Sequence, residues 1–226
     1  MYVLSHSQSK RNPMARRTKQ EAQATRSHIL DTAELVFEER GVSGTSLHEI
    51  AKAAGVTRGA IYWHFTDKAD LFNAMMDRAT MPLEESGAVC GFKRSPITIR
   101  QMRDGFVGVL RQVVADPQMK RVFGIAKHKV EYVGETAAIG ERHLRIRDEC
   151  LADMERTLRQ ATRRGELSRR MPARAAAIGL HALLDGLLQD WMLDPDGFDL
   201  VRVGTQVLDA YLSSLVVNQA ASGVTA

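Results

Sequence analysis

Cysteine is nearly missing from this chain of 226 residues, which has only Cys90 and Cys150. Two thiols make neither a disulfide framework nor a four-cysteine metal site, and the usage suits a reducing compartment. Long apolar runs are missing too. The nearest approach to the roughly 18 residues of a membrane span is 175–193, and it is broken by His181, Asp185 and Asp190. The opening residues MYVLSHSQSKRNP lack the apolar stretch of a secretory signal. The expected location is therefore the cytoplasm, in association with the nucleoid if DNA is bound, and no membrane partner is expected. There is no Gly-rich phosphate loop, no G-x-S-x-G elbow and no cluster of catalytic acids, which ranks a helical enzyme last. His128 and Glu131 stand three apart, but two ligands are too few for a metal centre; neither metal nor cofactor is expected.

What is present is ordinary globular material, 44% hydrophobic and 26% charged, enough for one large domain or two small ones. The net charge is only +4. Its placement is more informative. Residues 1–26 hold Lys10, Arg11, Arg16, Arg17, Lys19 and Arg26 against Glu21, a net of +5, so everything after them sums to −1. Residues 1–21 read as a flexible basic arm. Met14 opens MARRTK and offers a second start, in which case residues 1–13 are a dispensable extension; a genuine flexible tail is the other reading.

Almost every other segment has helical periodicity. A first helix is expected over about 22–40, stopped by Gly41. A second opens at Ser46, where Ser46 and Glu49 spell a capping box. A third covers 57–65. A fourth starts between Asp67 and Asp70, turns Leu71, Phe72, Met75, Met76 and Ala79 inward, and should kink or end at Pro82. After a loop at 87–94, Ser95-Pro96 and Asp116-Pro117 open helices running to about 115 and 133. An irregular stretch between Gly134 and Gly140 precedes a long helix to about 164, with Leu144, Cys150 or Leu151, Met154 and Leu158 inward. Helices at about 172–193 and 200–217 follow, the last burying Val207, Leu208, Tyr211, Leu212 and Leu215; residues 218–226 read as a disordered tail. The fold class expected is all-α, with about nine helices and no sheet: a head at 22–66 and a larger body at 67–217.

Within the head, Ala51, Gly55 and Ile61 have the spacing of a helix-turn-helix. Closely crossing helices need a small residue at 51, the turn needs one that tolerates positive φ at 55, and an apolar residue at 61 packs the second helix back, with Ile50 and Val56 beside it. Such a crossing exposes the second helix to a DNA major groove.

Residues 14–73, above all EIAKAAGVTRGAIYWHFTDKADLF, resemble the DNA-binding domain of TetR-family transcriptional regulators, with most similarity to AcrR-like repressors of multidrug efflux pumps. Thinner similarity continues at 128–135 and at Asp185-Gly186-Leu187. The resemblance implies a homodimer of all-α subunits. Each would have a three-helix head on palindromic double-stranded operator DNA and a body holding a pocket for a hydrophobic or cationic effector, whose last two long helices form a four-helix bundle with the partner's. It further implies that a drug-like ligand releases the operator, most simply of an efflux operon. The alternative is a family member controlling lipid or aromatic catabolism, as an activator or a repressor.

On the DNA side, Thr57 should cap the recognition helix and reach a phosphate, and Arg58 should read a guanine edge, with phosphate contact as its other role. Gly59 permits close approach, Tyr62 touches a thymine methyl or a phosphate, and His64 a phosphate. Thr45, Ser46 and Lys68 should point toward phosphates. Arg16, Arg17 and Lys19 either reach a flanking minor groove or backbone, or form a solvated tail. Trp63 and Phe65 should hold the helix to the body. Lining of an effector pocket is expected from Met76, Met102, Phe106, Met119, Phe123, Glu131, Tyr132, Met154 and Trp191, each of which also fits an ordinary core. Glu131 would either meet a cationic drug or pair with Lys127 or Lys129. Cys150, near Arg145 and Arg147, reads as core or as a redox sensor. Leu183, Leu184, Leu187, Leu188, Val207, Tyr211 and Leu215 suit a dimer bundle, and a monomer core would read similarly.

Overall fold

The computed structural model describes residues 13–85 and 97–216. Among them run nine α-helices: α1 (Pro13–Arg40), α2 (Leu47–Ala53), α3 (Arg58–His64), α4 (Lys68–Glu85), α5 (Ile99–Ala115), α6 (Pro117–His128), α7 (Ala137–Arg163), α8 (Ala173–Leu193) and α9 (Leu200–Leu215). A single antiparallel bridge, Leu167 to Val216, is the only extended pairing among the described residues.

Local chemistry accounts for most helix ends. Ser46 and Glu49 form the capping box of α2 in both directions. Asp116 takes the N–H groups of Gln118 and Met119 at 2.9 and 3.1 Å, with Pro117 in the first turn of α6. Gly41 and Gly55 follow α1 and α2 with φ of +78° and +66°, a conformation that costs an L side chain roughly 1–2 kcal/mol.

Several boundaries depart from the expectation. Helix α1 begins at Pro13, so residues 13–21 of the expected arm continue the helix. Helix α4 passes through Pro82 to Glu85 rather than ending there. Helix α5 is capped by Thr98, whose box partner is Gln101; the Ser95-Pro96 start and the 87–94 loop lie outside the described residues, as do residues 1–12 and the 218–226 tail. Helix α6 stops at His128, five residues before the expected end, because Lys129 leaves the helical region and its carbonyl accepts the Val42 N–H at 2.8 Å. Leu144, expected inward, is exposed on α7, whereas Cys150, Leu151, Met154 and Leu158 are buried.

The head core does not stop at residue 66. Ile29, Ala33 and Phe37 of α1, Ile50 of α2 and Ile61 of α3 share one cluster with Leu71, Phe72 and Met75 of α4 and with Val122 and Ile125 of α6. A second cluster joins α5, α7, α8 and α9 through Met102, Phe106, Met154, Leu180 and Leu208; a third gathers Leu110, Met119 and Trp191. Head and body are thus bridged by the apolar faces of α4 and α6.

Candidate nucleic-acid interface and effector cavity

The turn between α2 and α3 is built as the spacing requires. Ala51 and Ile61 are buried, and Gly55 lets the Val56 N–H return to the Ala51 carbonyl at 3.0 Å. Burying a side chain such as Ile61 is worth about 1.5–3 kcal/mol, and it is the one buried residue of α3. Arg58, Gly59, Tyr62 and Trp63 of that short helix are exposed, and Ala60 and His64 half-buried. The Thr57 hydroxyl accepts the Ala60 N–H at 3.1 Å, which leaves its own proton free to donate. Arg58, Gly59 and Tyr62 are exposed side by side, with the Arg58 guanidinium 5.7 Å from the Tyr62 ring centre. The contact extends the arginine along the helix face and costs little to break at an exposed site, about 0.5–1 kcal/mol.

Trp63 does not hold α3 to the body: it is 73% exposed and meets the His64 ring edge-on at 4.5 Å. It follows Ile61 by two residues, about 200° around the helix, so burial of Ile61 directs Trp63 outward. Phe65 alone is buried, beneath the Arg26 guanidinium. Burial, and then the Arg26 charge, hold the His64 imidazole below its usual pKa.

Two expected phosphate contacts face inward instead. Lys68 is 3% exposed; its ammonium donates to the carbonyls of Ser43 and Thr45 at 3.2 and 2.8 Å and pairs with Glu135 at 2.6 Å. Thr45 is buried, and its hydroxyl donates to the Gly41 carbonyl at 2.7 Å. Lys68 stitches the turn before α2 to the body, and Thr45 closes that turn on itself. Ser46 and Lys19 are exposed; Arg16 and Arg17 lie on α1, with side chains outside the described set. The capping bonds from Ser46 hold the Glu49 carboxyl below its usual pKa.

One buried cluster escaped the sequence reading. Glu34 on α1 is 2% exposed and receives Arg78 from α4 and, at 2.8 Å, the Gln118 amide from α6; Arg121 of α6 lies 3.8 Å away and bonds Glu38 at 3.0 Å. These partners lie 44 to 87 residues along the chain, and no local pattern announces them.

In the body, a cavity of about 130 Å³ lies between α5, α7 and α8, bounded by Phe106, Leu110, Met154, Leu184, His181 and Asp185 among others. Of the nine expected pocket residues only Phe106 and Met154 line it. Met76 packs against the head cluster, Met102 sits within the second core, and Met119, Phe123 and Trp191 belong to the third. Glu131 and Tyr132 are exposed on the loop after α6, not on an inward helix face, because α6 has already ended. Lys127 is paired with Asp185 of α8 rather than with Glu131. Among the presumed bundle residues, Leu184 and Leu215 are buried within the subunit and Leu188 lines the cavity. Tyr211 donates to the Ala176 carbonyl at 2.9 Å, while Leu183, Leu187 and Val207 are half-exposed. No group of three metal-ligating side chains occurs among the described residues.

Two family models match: the N-terminal model of bacterial regulatory proteins of the tetR family at residues 29–75, and the C-terminal region of MAATS-type transcriptional repressors at 97–217. The chain belongs to the TetR family of transcriptional regulators. It is 41% identical over 200 residues to the HTH-type transcriptional repressor BepR of Brucella suis, covering 88% of this chain and 96% of BepR. The crystal structure of NalD, the secondary repressor of the MexAB-OprM multidrug efflux pump in Pseudomonas aeruginosa, superposes with a TM-score of 0.80 at 33% identity, covering 88% of this chain and 99% of NalD. SmeT of Stenotrophomonas maltophilia in complex with triclosan gives a TM-score of 0.74 at 30% identity, covering 89% and 96%. The first model spans the helix-turn-helix and most of the head core; the second takes in α5 to α9, cavity included. No helix among the described residues is long and apolar enough to cross a membrane.

Proposed function

We propose that this TetR-family chain is a ligand-responsive repressor, not an enzyme, acting as a homodimer on a palindromic operator of a multidrug efflux operon in the cytoplasm. The observation that carries the reading is the exposed face Thr57, Arg58, Gly59 and Tyr62 on a helix fastened from behind by Ile61. Such a face suits a major groove, with Arg58 on a guanine edge and Thr57, Ser46, His64 and Tyr62 on phosphates or a thymine methyl. Lys19, with Arg16 and Arg17, would add charge at the flank.

The efflux assignment is supported by similarity over most of the chain to NalD, a repressor of a multidrug pump, and the effector role by similarity to SmeT, which was solved with triclosan. Two heads reading two half-sites need the dimer. The half-exposed Leu183, Leu187 and Val207 of α8 and α9, with Ile178 at 49% exposure, are the surface assigned to it. Electrophoretic retardation of DNA from upstream of the protein's own gene tests the reading. A specific, salt-sensitive band is expected, and it should be lost when efflux substrates are added.

A further inference from the structure

The net of −1 carried by residues 27–226 conceals a strongly basic end of the body. Residues 153–174 hold seven arginines against Asp153, Glu155 and Glu166, a net of +4, which leaves −5 for everything outside this stretch and residues 1–26. The arginines come from the last two turns of α7, the turn after it and the first turn of α8, and all seven are exposed. Four have carboxylate partners: Arg156 with Asp153, Arg159 and Arg174 with Glu155, and Arg164 with Glu166. The guanidiniums of Arg163, Arg169 and Arg170 meet no carboxylate among the described residues. Basic residues suit the C-terminus of α7, but nothing local asks for Arg169 and Arg170 in the turn, and the first turn of α8, where Arg174 stands, favours an acid. The turn is also fixed in place. Gly165 reverses the chain at φ +80°, Leu167 is buried in the second core and bridges Val216, and the Ser168 N–H donates to the Leu215 carbonyl at 2.8 Å.

This end lies far from the helix-turn-helix. Ile139, in the first turn of α7, belongs to the head cluster, whereas Leu158 and Ala161 belong to the second core. With 27 residues, α7 carries the arginines about 40 Å away from the head, too far to reach a duplex lying on α3. The composition says what they suit. No lysine follows Lys129, and the planar guanidinium binds phosphate through paired N–H donors. Residues 153–174 contain no aromatic side chain, so unpaired bases would find nothing to stack on. Met171 is the one large apolar side chain exposed there, too little for the apolar anchoring that a bilayer surface requires. The chemistry left is the phosphate backbone of a duplex, held by charge without reading sequence.

We infer that the arginine end of the body is a second, sequence-independent DNA-binding surface, so that a chain seated on its operator through α3 holds another duplex as well. The first duplex rests on the repressor reading; the arginine surface does not.

The test loads the full chain onto surface-bound DNA from upstream of its own gene and then exposes it to a labelled duplex of random sequence. The second duplex should be retained at low salt and released as salt rises. The triple variant Arg163→Gln, Arg169→Gln, Arg170→Gln should load onto the first duplex as the parent does and keep the parent's thermal midpoint, because the three side chains are exposed. It should bind the second duplex at least tenfold more weakly, with a slope of log affinity against log salt smaller by roughly 2–3. The matching triple lysine variant, which keeps the charge, should restore most of the binding. No retention of the second duplex by the loaded chain, a glutamine variant that retains it like the parent, a lysine variant as weak as the glutamine one, or tighter binding to phosphatidylglycerol vesicles than to the random duplex would each overturn the inference. Failure to load onto the first duplex defeats the repressor reading alone. The arginine surface is then read by direct titration of the random duplex, where the glutamine variant should again be at least tenfold weaker and equal binding would overturn it.

Discussion

Lys68→Met separates a structural lysine from a DNA-binding one. The substitution keeps most of the stem and removes the ammonium that joins the Ser43 and Thr45 carbonyls to Glu135. A hydrogen bond to a charged group contributes about 1.5–3 kcal/mol, and two carbonyls lose one each. Glu135 is 70% exposed, so its carboxylate returns to water and the ion pair itself adds no more than about 1 kcal/mol. Relief of the buried ammonium's desolvation offsets part of the loss, leaving a net cost of about 2–3 kcal/mol. For a chain of this size that lowers the thermal midpoint by roughly 4–12 °C, read by circular dichroism. Each lysine neutralising a phosphate adds about 0.9 to the slope of log affinity against log salt. With Lys68 facing inward, that slope should stay unchanged in gel shifts run well below both midpoints. An unaltered midpoint together with a slope smaller by about one would refute the inward assignment.

Three further outcomes follow from the geometry. Gly55→Ala meets no atom within 4 Å but is held at φ +66°, so it should cost about 1 kcal/mol through backbone strain alone, seen as a midpoint lower by roughly 2–4 °C; no loss would mean that the turn relaxes. Arg58→Ala should flatten preference at one base pair per half-site by about 1–3 kcal/mol in competition binding, and retained preference would move base reading elsewhere. The lowered His143 and His181 values give stability that is complete above the unfolded imidazole value of about 6.5 and is lost as pH falls through the folded values. The midpoint should therefore drop on acidification below pH ~6.5, and less steeply in a His143→Gln, His181→Gln double variant; equal slopes would contradict the assignment.

Much of the architecture was legible because its signals are local. The Ser46–Glu49 box, the Asp116-Pro117 start and the Ala51–Gly55–Ile61 spacing each lie within a dozen residues and were read correctly. What failed was long-range. Lys68 is spent on Glu135, and α6 is cut short because Lys129 is recruited by Val42. That early end moved Glu131 and Tyr132 out of the expected pocket, and nothing between Lys129 and Gly134 marks a stop. Trp63 lies about 200° around the helix from buried Ile61, so helical angle alone turns it outward, against the expectation that it joins Phe65 in holding the helix to the body. Little of the cavity is legible: of the expected lining only Phe106 and Met154 border it, and His181 and Asp185 become a polar wall only when α8 is set against α5 and α7.

On the proposed function, the α3 face binds a specific operator and lets it go when an efflux substrate occupies the body. The most direct measurement is a titration of the full chain onto DNA upstream of its own gene, across several salt concentrations, with and without an efflux substrate. A sequence-specific complex that weakens steeply with salt and dissociates on addition of the substrate is the predicted result. Binding that ignores sequence, or a specific complex that no efflux substrate releases, would contradict it.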